Sequence, residues 1–223
     1  MALKGSAFLA IWNDILPESE AEFGEWHTKE HIPERVGIPG FLAGRRYVNW
    51  DNDVLRYFTL YEGEQLNVFN GEDYLQRLNA PTSWTQRMMP DFRNFIRGAC
   101  RTVMSEGQGL GGALATFTLK SAEQVERVKT DGLCEQLLNM QGITGVHLGI
   151  ANQEVTGVQS NERSMRSHTA DHTFDLLLMV EGIGIKELSP KLSSIEEIAK
   201  TAFSQVDSPD THIYHLHYML TSE

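Results

Sequence analysis

The sequence predicts an α+β fold made of two similar modules, each with the element order β-α-β-β-α-β. One observation is a Gly-Ile-x-Gly pattern at 37–40 that returns at 142–145, an offset of 105 residues. A second is the Glu-Gly ending shared by 60–63 and 179–182, at an offset of 119 residues. Similarity at a regular offset is the sign of a repeated architecture. The two offsets differ by 14 residues, which predicts an insertion in one loop of the second module.

Hydrophobic periodicity assigns the elements of the first module. Short apolar runs bounded by turn residues predict strands, and apolar residues three and four apart predict helices. The first helix should end near Ile32, because Pro33 disfavours helical geometry in the residue before it. The predicted strands are 6–13, 41–50, 54–62 and 95–104, and the predicted helices are 19–32, 65–78 and 83–89.

The second module repeats this order after a glycine-rich stretch. Four glycines within 107–112 predict a linker, so the expected division is a first module at 1–106, a linker at 107–112 and a second module at 113–223. A polar, unpatterned segment at 153–172 is predicted to be a loop that serves as a lid or an interface arm. The predicted strands are 113–119, 146–151, 174–181 and 212–220, and the predicted helices are 121–140 and 185–204.

A β-α-β-β-α-β module forms a ferredoxin-like unit, in which a four-stranded antiparallel sheet carries both helices on one face. The other face of the sheet has no helical cover. An uncovered apolar face needs a partner, and two modules in tandem can supply it by packing sheet against sheet.

Bulk composition excludes several function classes. The formal net charge of −11 predicts no nucleic-acid partner, because an acidic surface repels phosphate. The two cysteines provide neither a disulfide framework nor a four-thiolate metal site. We predict no membrane partner, since no apolar run approaches the ~18 residues of a span, and a cytoplasmic location, since no signal segment is recognised.

A cluster of residues in the first module carries a resemblance to a known family. Phe23, Trp26-His27 and His31-Ile32-Pro33 precede a Pro-Gly turn and the run Arg45-Arg46-Tyr47. This pattern resembles the dimeric α+β barrel superfamily and, within it, the EthD-like branch. The chain is then similar to a tandem-duplicated form, an intrachain pseudo-dimeric α+β barrel. The resemblance implies a pocket between helices and sheet within one module, with His31 as its pocket residue.

His27 and His31 are the predicted catalytic residues. They lie four positions apart, so a helix places them on the same side, and a neutral imidazole can take or give a proton near physiological pH. The alternative for His31 is a cap at the helix C-terminus, where a cation meets the negative end of the dipole. The 105-residue offset puts Gly132 and Gln136 at the equivalent positions, which predicts one working pocket, in residues 1–105.

Several residues around the histidines are predicted to bind the substrate, with core packing as the alternative for the aromatic ones. Alternation along the strand sends Arg45 and Tyr47 to one face and Arg46 to the other. Trp12 and Asn13 also point opposite ways, so one of them should face the helices. The predicted substrate-binding residues are Trp26, Trp12, Phe23, Arg46, Tyr47, Tyr61 and Trp84.

Neither a metal nor a tightly bound cofactor is predicted. His27 to His31 spells H-x-x-E-H, in which two histidines could share a zinc ion with Glu30 as base. The predicted helix ends soon after His31, however, and no other helix offers a third ligand. The resemblance adds haem as an alternative cofactor, because some relatives use histidine-ligated haem.

These observations predict a cofactor-independent enzyme that acts on a small apolar or aromatic oxygenated compound. Histidine general acid/base chemistry would serve an isomerase, a cyclase, a lyase or an oxygenase equally. The alternative is a non-catalytic ligand-binding or assembly protein of the same fold. A small ligand is the expected partner, and exposed sheet edges allow a homodimer or a higher homo-oligomer.

Overall fold

The structure, a computed structural model, describes residues 2–120, 130–166, 174–203 and 209–223. The strands in these ranges are β1 (Ala7–Ile15), β2 (Phe41–Val48), β3 (Tyr57–Gly63), β4 (Phe92–Gly107), β5 (Ala113–Leu119), β6 (Ile143–Ala151), β7 (Leu176–Gly182) and β8 (Asp210–Thr221). The α-helices are α1 (Glu20–Trp26), α2 (Ile32–Val36), α3 (Glu72–Asn79), α4 (Ser83–Met88), α5 (Thr130–Leu138), α6 (Gln153–Thr156), α7 (Asn161–Met165), α8 (Ile185–Leu188) and α9 (Leu192–Phe203).

The hydrogen-bonded strand order is β1-β3-β2-β8-β5-β7-β6-β4, and the sheet closes into a barrel. The α+β class predicted from the sequence is confirmed. The chain divides into two compact units. The larger unit comprises Lys4–Ala99, Asn152–Thr173 and His217–Glu223, and the smaller unit comprises Met1–Leu3, Cys100–Ala151 and Phe174–Leu216.

In the larger unit, β3 lies between β1 and β2 and pairs antiparallel with both. Trp12 of β1 and Tyr47 of β2 are both cross-strand partners of Phe58 in β3, so these three side chains share one face of the sheet. The opposite face carries Tyr61 and receives the helices. Apolar side chains from strands and helices form the core beneath α2 and α3, including Ile32, Val36, Phe69 and Tyr74.

In the smaller unit, β5 pairs with β7 and β8, and β6 pairs with β7 and with the 100–107 part of β4. Leu133 and Leu137 of α5, and Ile195 and Ala199 of α9, pack on this sheet. The start of the predicted helix 121–140, at 121–129, lies outside the described residues.

The helix that carries the two histidines continues past the predicted end at Ile32. After α1, residues His27–His31 form a π-helical turn, and α2 follows directly with Pro33 in its first turn. The N–H of Ile32 donates to the carbonyl of His27, five residues earlier. Proline lacks an N–H and clashes with the carbonyl four residues before it in an α-helix, and the wider π turn gives its ring room. His31 therefore lies within the helical segment and is not a C-terminal cap.

Two other predictions change in the structure. Residues 152–166, predicted as part of the second module, belong to the larger unit and contain α6 and α7. Strand register also corrects the repeat: Phe41 pairs with Gly63 and Ile143 pairs with Gly182. These two glycines end the repeated Glu-Gly pairs, so Phe41 corresponds to Ile143. The earlier match of Gly37 with Gly142 is therefore out of register.

None of the helices in the described ranges has the length and apolar character that crossing a membrane requires.

Candidate active site in the larger unit

The π turn places His27 and His31 in one aromatic stack. The ring of His27 lies between Phe23 (centroid distance 5.0 Å, interplanar angle 16°) and His31 (5.5 Å, 23°). Trp26 packs on His31 at 4.3 Å. Both histidines are buried, with exposed fractions of 5% and 8%. π-Helical turns occur frequently at functional sites, and this one aligns two imidazoles that the sequence spacing had paired.

A hydrogen-bonded group from α4 holds the tryptophan behind this stack. The indole N–H of Trp26 donates to Oγ1 of Thr85 at 3.2 Å. The hydroxyl of Thr82 donates to Oε1 of Glu30 at 2.5 Å. The glutamate of the H-x-x-E-H pattern is thus engaged with α4. Across the described part of the chain, no group of three His, Cys, Asp or Glu side chains could hold a metal ion.

A cavity of about 50 Å³ lies against the two histidines, and every residue that lines it belongs to the larger unit. Its wall combines apolar, aromatic and charged side chains from the sheet, the helices and the segment 158–166. The lining residues are Ile11, Asn13, His27, His31, Arg35, Thr59, Tyr61, Tyr74, Leu78, Met89, Phe92, Phe95, Arg97, Val158, Ser160, Glu162, Arg163 and Arg166.

The segment 158–166 covers one side of this cavity and is secured from two directions. The Arg35 guanidinium donates to Oε2 of Glu162 at 2.5 Å, and both side chains are buried. The backbone N–H of Asn161, at the start of α7, donates to Oδ1 of Asn79 at 3.1 Å. Burial disfavours the charge on Arg35, but the Glu162 carboxylate and weaker contributions from other neighbouring groups together outweigh it, so the pKa of Arg35 is raised. We name residues 158–166 the cover.

Burial and nearby arginines keep both histidines neutral. Burial lowers the pKa of His27 well below its usual value, and the charges of Arg46 and Arg35 lower it further. Burial is also the main reason that the pKa of His31 is lowered, and the charge of Arg35 lowers it further. Burial raises the pKa of the Tyr61 hydroxyl. At neutral pH the cavity therefore presents two uncharged imidazoles and an un-ionised phenol.

Among the polar atoms of this wall that are buried without a hydrogen bond, three belong to uncharged side chains. They are Nδ1 of His27, Nδ1 of His31 and the hydroxyl of Tyr61, none of which finds a partner among the described residues. Buried polar atoms in native proteins are nearly always hydrogen-bonded, and exceptions call for a specific explanation such as a catalytic role. The three atoms are available to donate a hydrogen bond to a molecule in the cavity or to accept one from it.

The structure brings three of the predicted site residues to the cavity. His27, His31 and Tyr61 line it directly. Phe23 and Trp26 do not line it but pack on the imidazoles, as the ring contacts above show. The sequence spacing around His31 therefore identifies both the lining histidines and the aromatic residues that support them.

The remaining predicted residues lie outside the cavity. Trp12 and Tyr47 point to the other face of the sheet, where each packs on Phe58, because the strand alternates and Asn13 takes the helix side. Arg46 does face the helices, but its guanidinium donates to the carbonyl of Gly24 at 3.1 Å. It acts on the site through its charge alone.

Trp84 is the last predicted residue outside the cavity, since its indole N–H donates to Oε1 of Glu22 at 2.9 Å on the exposed side of α4. The nearby Tyr57 donates its hydroxyl to Oε1 of Glu20 at 3.1 Å. Both side chains support the outer end of α1. Neither reaches the two imidazoles.

Sequence patterns did not identify the arginines of the wall. Arg97 lies in β4 after the apolar pair Phe95-Ile96, but the strand carries other charged residues, such as Arg93 and Arg101, and nothing in the sequence marks Arg97 among them. Arg163 and Arg166 lie in the unpatterned insertion, where periodicity carries no information. Arg35 follows Pro33, beyond the predicted end of the helix. Each of these positions required the tertiary structure.

The fold is similar to that of several solved proteins. An anthrone oxidase-like protein matches with a TM-score of 0.63 and 13% identity, covering 100% of this chain and 96% of its own. A predicted monooxygenase from Fusobacterium nucleatum matches with a TM-score of 0.57, 10% identity and coverage of 98% and 96%. A chlorite dismutase variant from Candidatus Nitrospira defluvii matches with a TM-score of 0.54 and 10% identity, covering 96% of this chain and 92% of its own.

No protein-family model matches the chain, and neither does any curated protein. At such low identity, the likeness to solved structures shows the dimeric α+β barrel fold and leaves the chemistry to be read from the site.

Proposed function

We propose that this chain is an enzyme without a bound cofactor that moves a proton on a small oxygenated compound, with His31 as general base or acid and His27 as its partner. The observation that carries the proposal is the pair of stacked, neutral imidazoles whose buried Nδ1 atoms lack partners at the cavity wall. A neutral imidazole within reach of a substrate proton is the commonest general base in proteins.

The charges of the wall suit this chemistry. Removal of a proton from carbon beside a carbonyl leaves the electron pair on the substrate as an enolate. Arginine side chains in the wall stabilise that negative charge, as oriented donors do for an oxyanion. The same arginines lower the pKa of the free histidines, and an anionic intermediate reverses part of that effect, because a nearby opposite charge favours the imidazolium. Protonation of histidine and formation of the enolate support each other.

Cavity size limits the compounds that fit the described conformation. A volume of about 50 Å³ has room for about four water molecules at ~10–15 Å³ each. A larger aromatic ligand, such as an anthrone, requires the cover to move and the contact between Arg35 and Glu162 to open. In the described conformation haem does not fit beside His27 and His31 either, because ligand pockets for larger molecules have about 300–1,000 Å³.

Isotope exchange tests the proposal directly. The purified protein is incubated in D₂O with acetoacetate, a small β-keto compound, and with anthrone, and deuterium uptake at the activated carbon is followed by proton NMR. We expect exchange above the buffer rate for at least one compound, reduced about a hundredfold or more in His31→Gln. His215→Gln, which removes an exposed histidine of β8, is the matched control and should retain the rate.

The same experiment separates catalysis from simple binding. A ligand-binding protein would show saturable binding of these compounds and no exchange, and His31→Gln would change affinity alone. Buffer-level exchange with both compounds, or a rate that survives in His31→Gln, would refute the proposed function.

We also infer that the chain is a tandem duplication of an EthD-like module, with 1–106 and 113–223 as the ancestral halves. Strand register supports this origin. A β-bulge follows Phe41 in β2, and another follows Ile143 in β6, each opposite the glycine of a Glu-Gly pair. The buried Arg45–Glu62 pair has a counterpart in His147 and Glu181, whose Nε2 and Oε1 atoms lie 3.5 Å apart.

The same comparison supports a single active pocket. The 105-residue offset matches the histidines to Gly132 and Gln136, but that match is out of register. In the register of the strands Phe41 corresponds to Ile143, so His31 corresponds to Leu133. Leu133 is buried in the smaller unit's core, and an apolar side chain thus takes the position that His31 has in the larger unit. A cytoplasmic location and a homo-oligomeric state remain part of the proposal.

A further inference from the structure

Arg97 holds an unused hydrogen-bonding edge at the cavity wall. Its Nη1 donates to the backbone carbonyls of Val155 at 3.2 Å and Thr156 at 2.6 Å, both in α6. These contacts fix the position of the guanidinium. Its Nη2 is buried and has no hydrogen-bond partner among the described residues. A buried cationic donor without a partner is costly, which indicates that a ligand completes its hydrogen bonds.

The charge balance of the wall indicates the sign of that ligand. Four arginines line the cavity, together with one carboxylate, that of Glu162. Glu162 already pairs with Arg35, and the two histidines are neutral. The wall is therefore electropositive, although the chain as a whole carries a net charge of −11. A concave, electropositive surface on an acidic protein selects an anion locally while the rest of the surface repels it.

We infer that the substrate of this site is a carboxylate, whose anionic group is bound by Nη2 of Arg97 while the histidines face the carbon beside its carbonyl. This inference rests on the proposed function, because it concerns the same cavity. The N–H groups of Nη2 are charged donors held in a fixed position, and such donors form strong hydrogen bonds to carboxylate oxygens. The carboxylate also supplies the negative charge that favours an imidazolium in the occupied site. A small 2-oxo or 3-oxo acid combines both features.

The test compares two carboxylates with their amides, which have nearly the same size and shape but carry no charge. Acetate and acetamide have the same number of heavy atoms and suit the small cavity, and benzoate and benzamide repeat the comparison with an aromatic ring. Binding is measured by isothermal titration calorimetry at constant ionic strength. We expect each carboxylate to bind at least about tenfold more tightly than its amide, the ratio that one charge-assisted hydrogen bond supplies.

Variants then assign the effect to one residue. Arg97→Gln should weaken carboxylate binding about tenfold or more and leave amide binding nearly unchanged. Arg97→Lys keeps the positive charge but loses the planar set of N–H donors, so its carboxylate affinity should lie between those of the wild type and Arg97→Gln. Arg93→Gln is the matched control: Arg93 lies on the same strand and also donates to two backbone carbonyls, of Pro90 and Phe92, but does not line the cavity.

Equal affinities for carboxylate and amide overturn the inference, as does the absence of binding by all four probes. Equal losses in the Arg97 and Arg93 variants overturn it too. The outcome is separable from the proposed function. Arg97-dependent carboxylate binding without isotope exchange would leave this inference standing and remove the catalytic role. Isotope exchange in uncharged ketones, together with equal binding of carboxylates and amides, would support the catalytic role and overturn this inference.

Discussion

Acidification should destabilise this protein through its two buried histidines. In the folded chain, burial holds the pKa of His27 and His31 well below the value of 6.5 that an unfolded chain has. As the pH falls below 6.5, the unfolded chain therefore binds protons that the folded chain does not. The stabilising contribution is present above that value and is lost as the pH decreases.

The size of the loss follows from linkage. If neither imidazole takes up a proton in the folded state, a change from about pH 7 to about pH 5.5 costs about 1.2 kcal/mol per histidine and about 2.5 kcal/mol for the pair. His31→Gln should lose only about half as much over the same interval. Urea unfolding followed by far-UV circular dichroism gives the free energy at each pH.

Each variant is compared with itself at the two pH values, so the direct cost of the substitution cancels. Glu34, whose pKa is raised by burial, contributes with the opposite sign in acid, and it is common to the wild type and the variant. Exposed His215 provides the control substitution, His215→Gln. The reasoning is refuted if the wild type is equally stable at both pH values, or if His31→Gln loses as much stability as the wild type.

Three further substitutions test how the site is held. Arg45→Met removes the guanidinium that pairs with the buried Glu62 and should cost about 3–5 kcal/mol in urea unfolding; adding Glu62→Gln should recover part of it, and no recovery would contradict the pairing. Glu162→Gln removes the carboxylate that secures the cover, so amide hydrogen exchange measured by mass spectrometry should accelerate in residues 158–166, and unchanged protection would count against that role. Thr85→Val leaves the indole N–H of Trp26 unpaired and should cost about 1–3 kcal/mol without altering carboxylate affinity, which calorimetry can check.

Local patterns in the sequence were sufficient for most of the elements. Alternating and helical periodicities located the strands and most of the helices, because side-chain burial repeats with the geometry of the backbone. The same logic placed His27 and His31 on one side of a helix and Arg46 opposite to Tyr47. It failed at Pro33, where a local steric rule predicted a helix end. The chain instead forms a π turn, whose cost the packing of Phe23, Trp26 and Ile32 can offset.

What the sequence by itself determined is the α+β class, the repeated order of elements and the pair of histidines with their aromatic neighbours. These properties depend on residues close together along the chain. Only the tertiary structure decided that Asn13 rather than Trp12 faces the site, and that Arg97 and the cover complete its wall. Those contacts join residues that are distant in sequence, as the hydrogen bond from Arg35 to Glu162 shows with its separation of 127 positions. No local propensity encodes such a contact, because it forms only when the whole sheet brings its strands together.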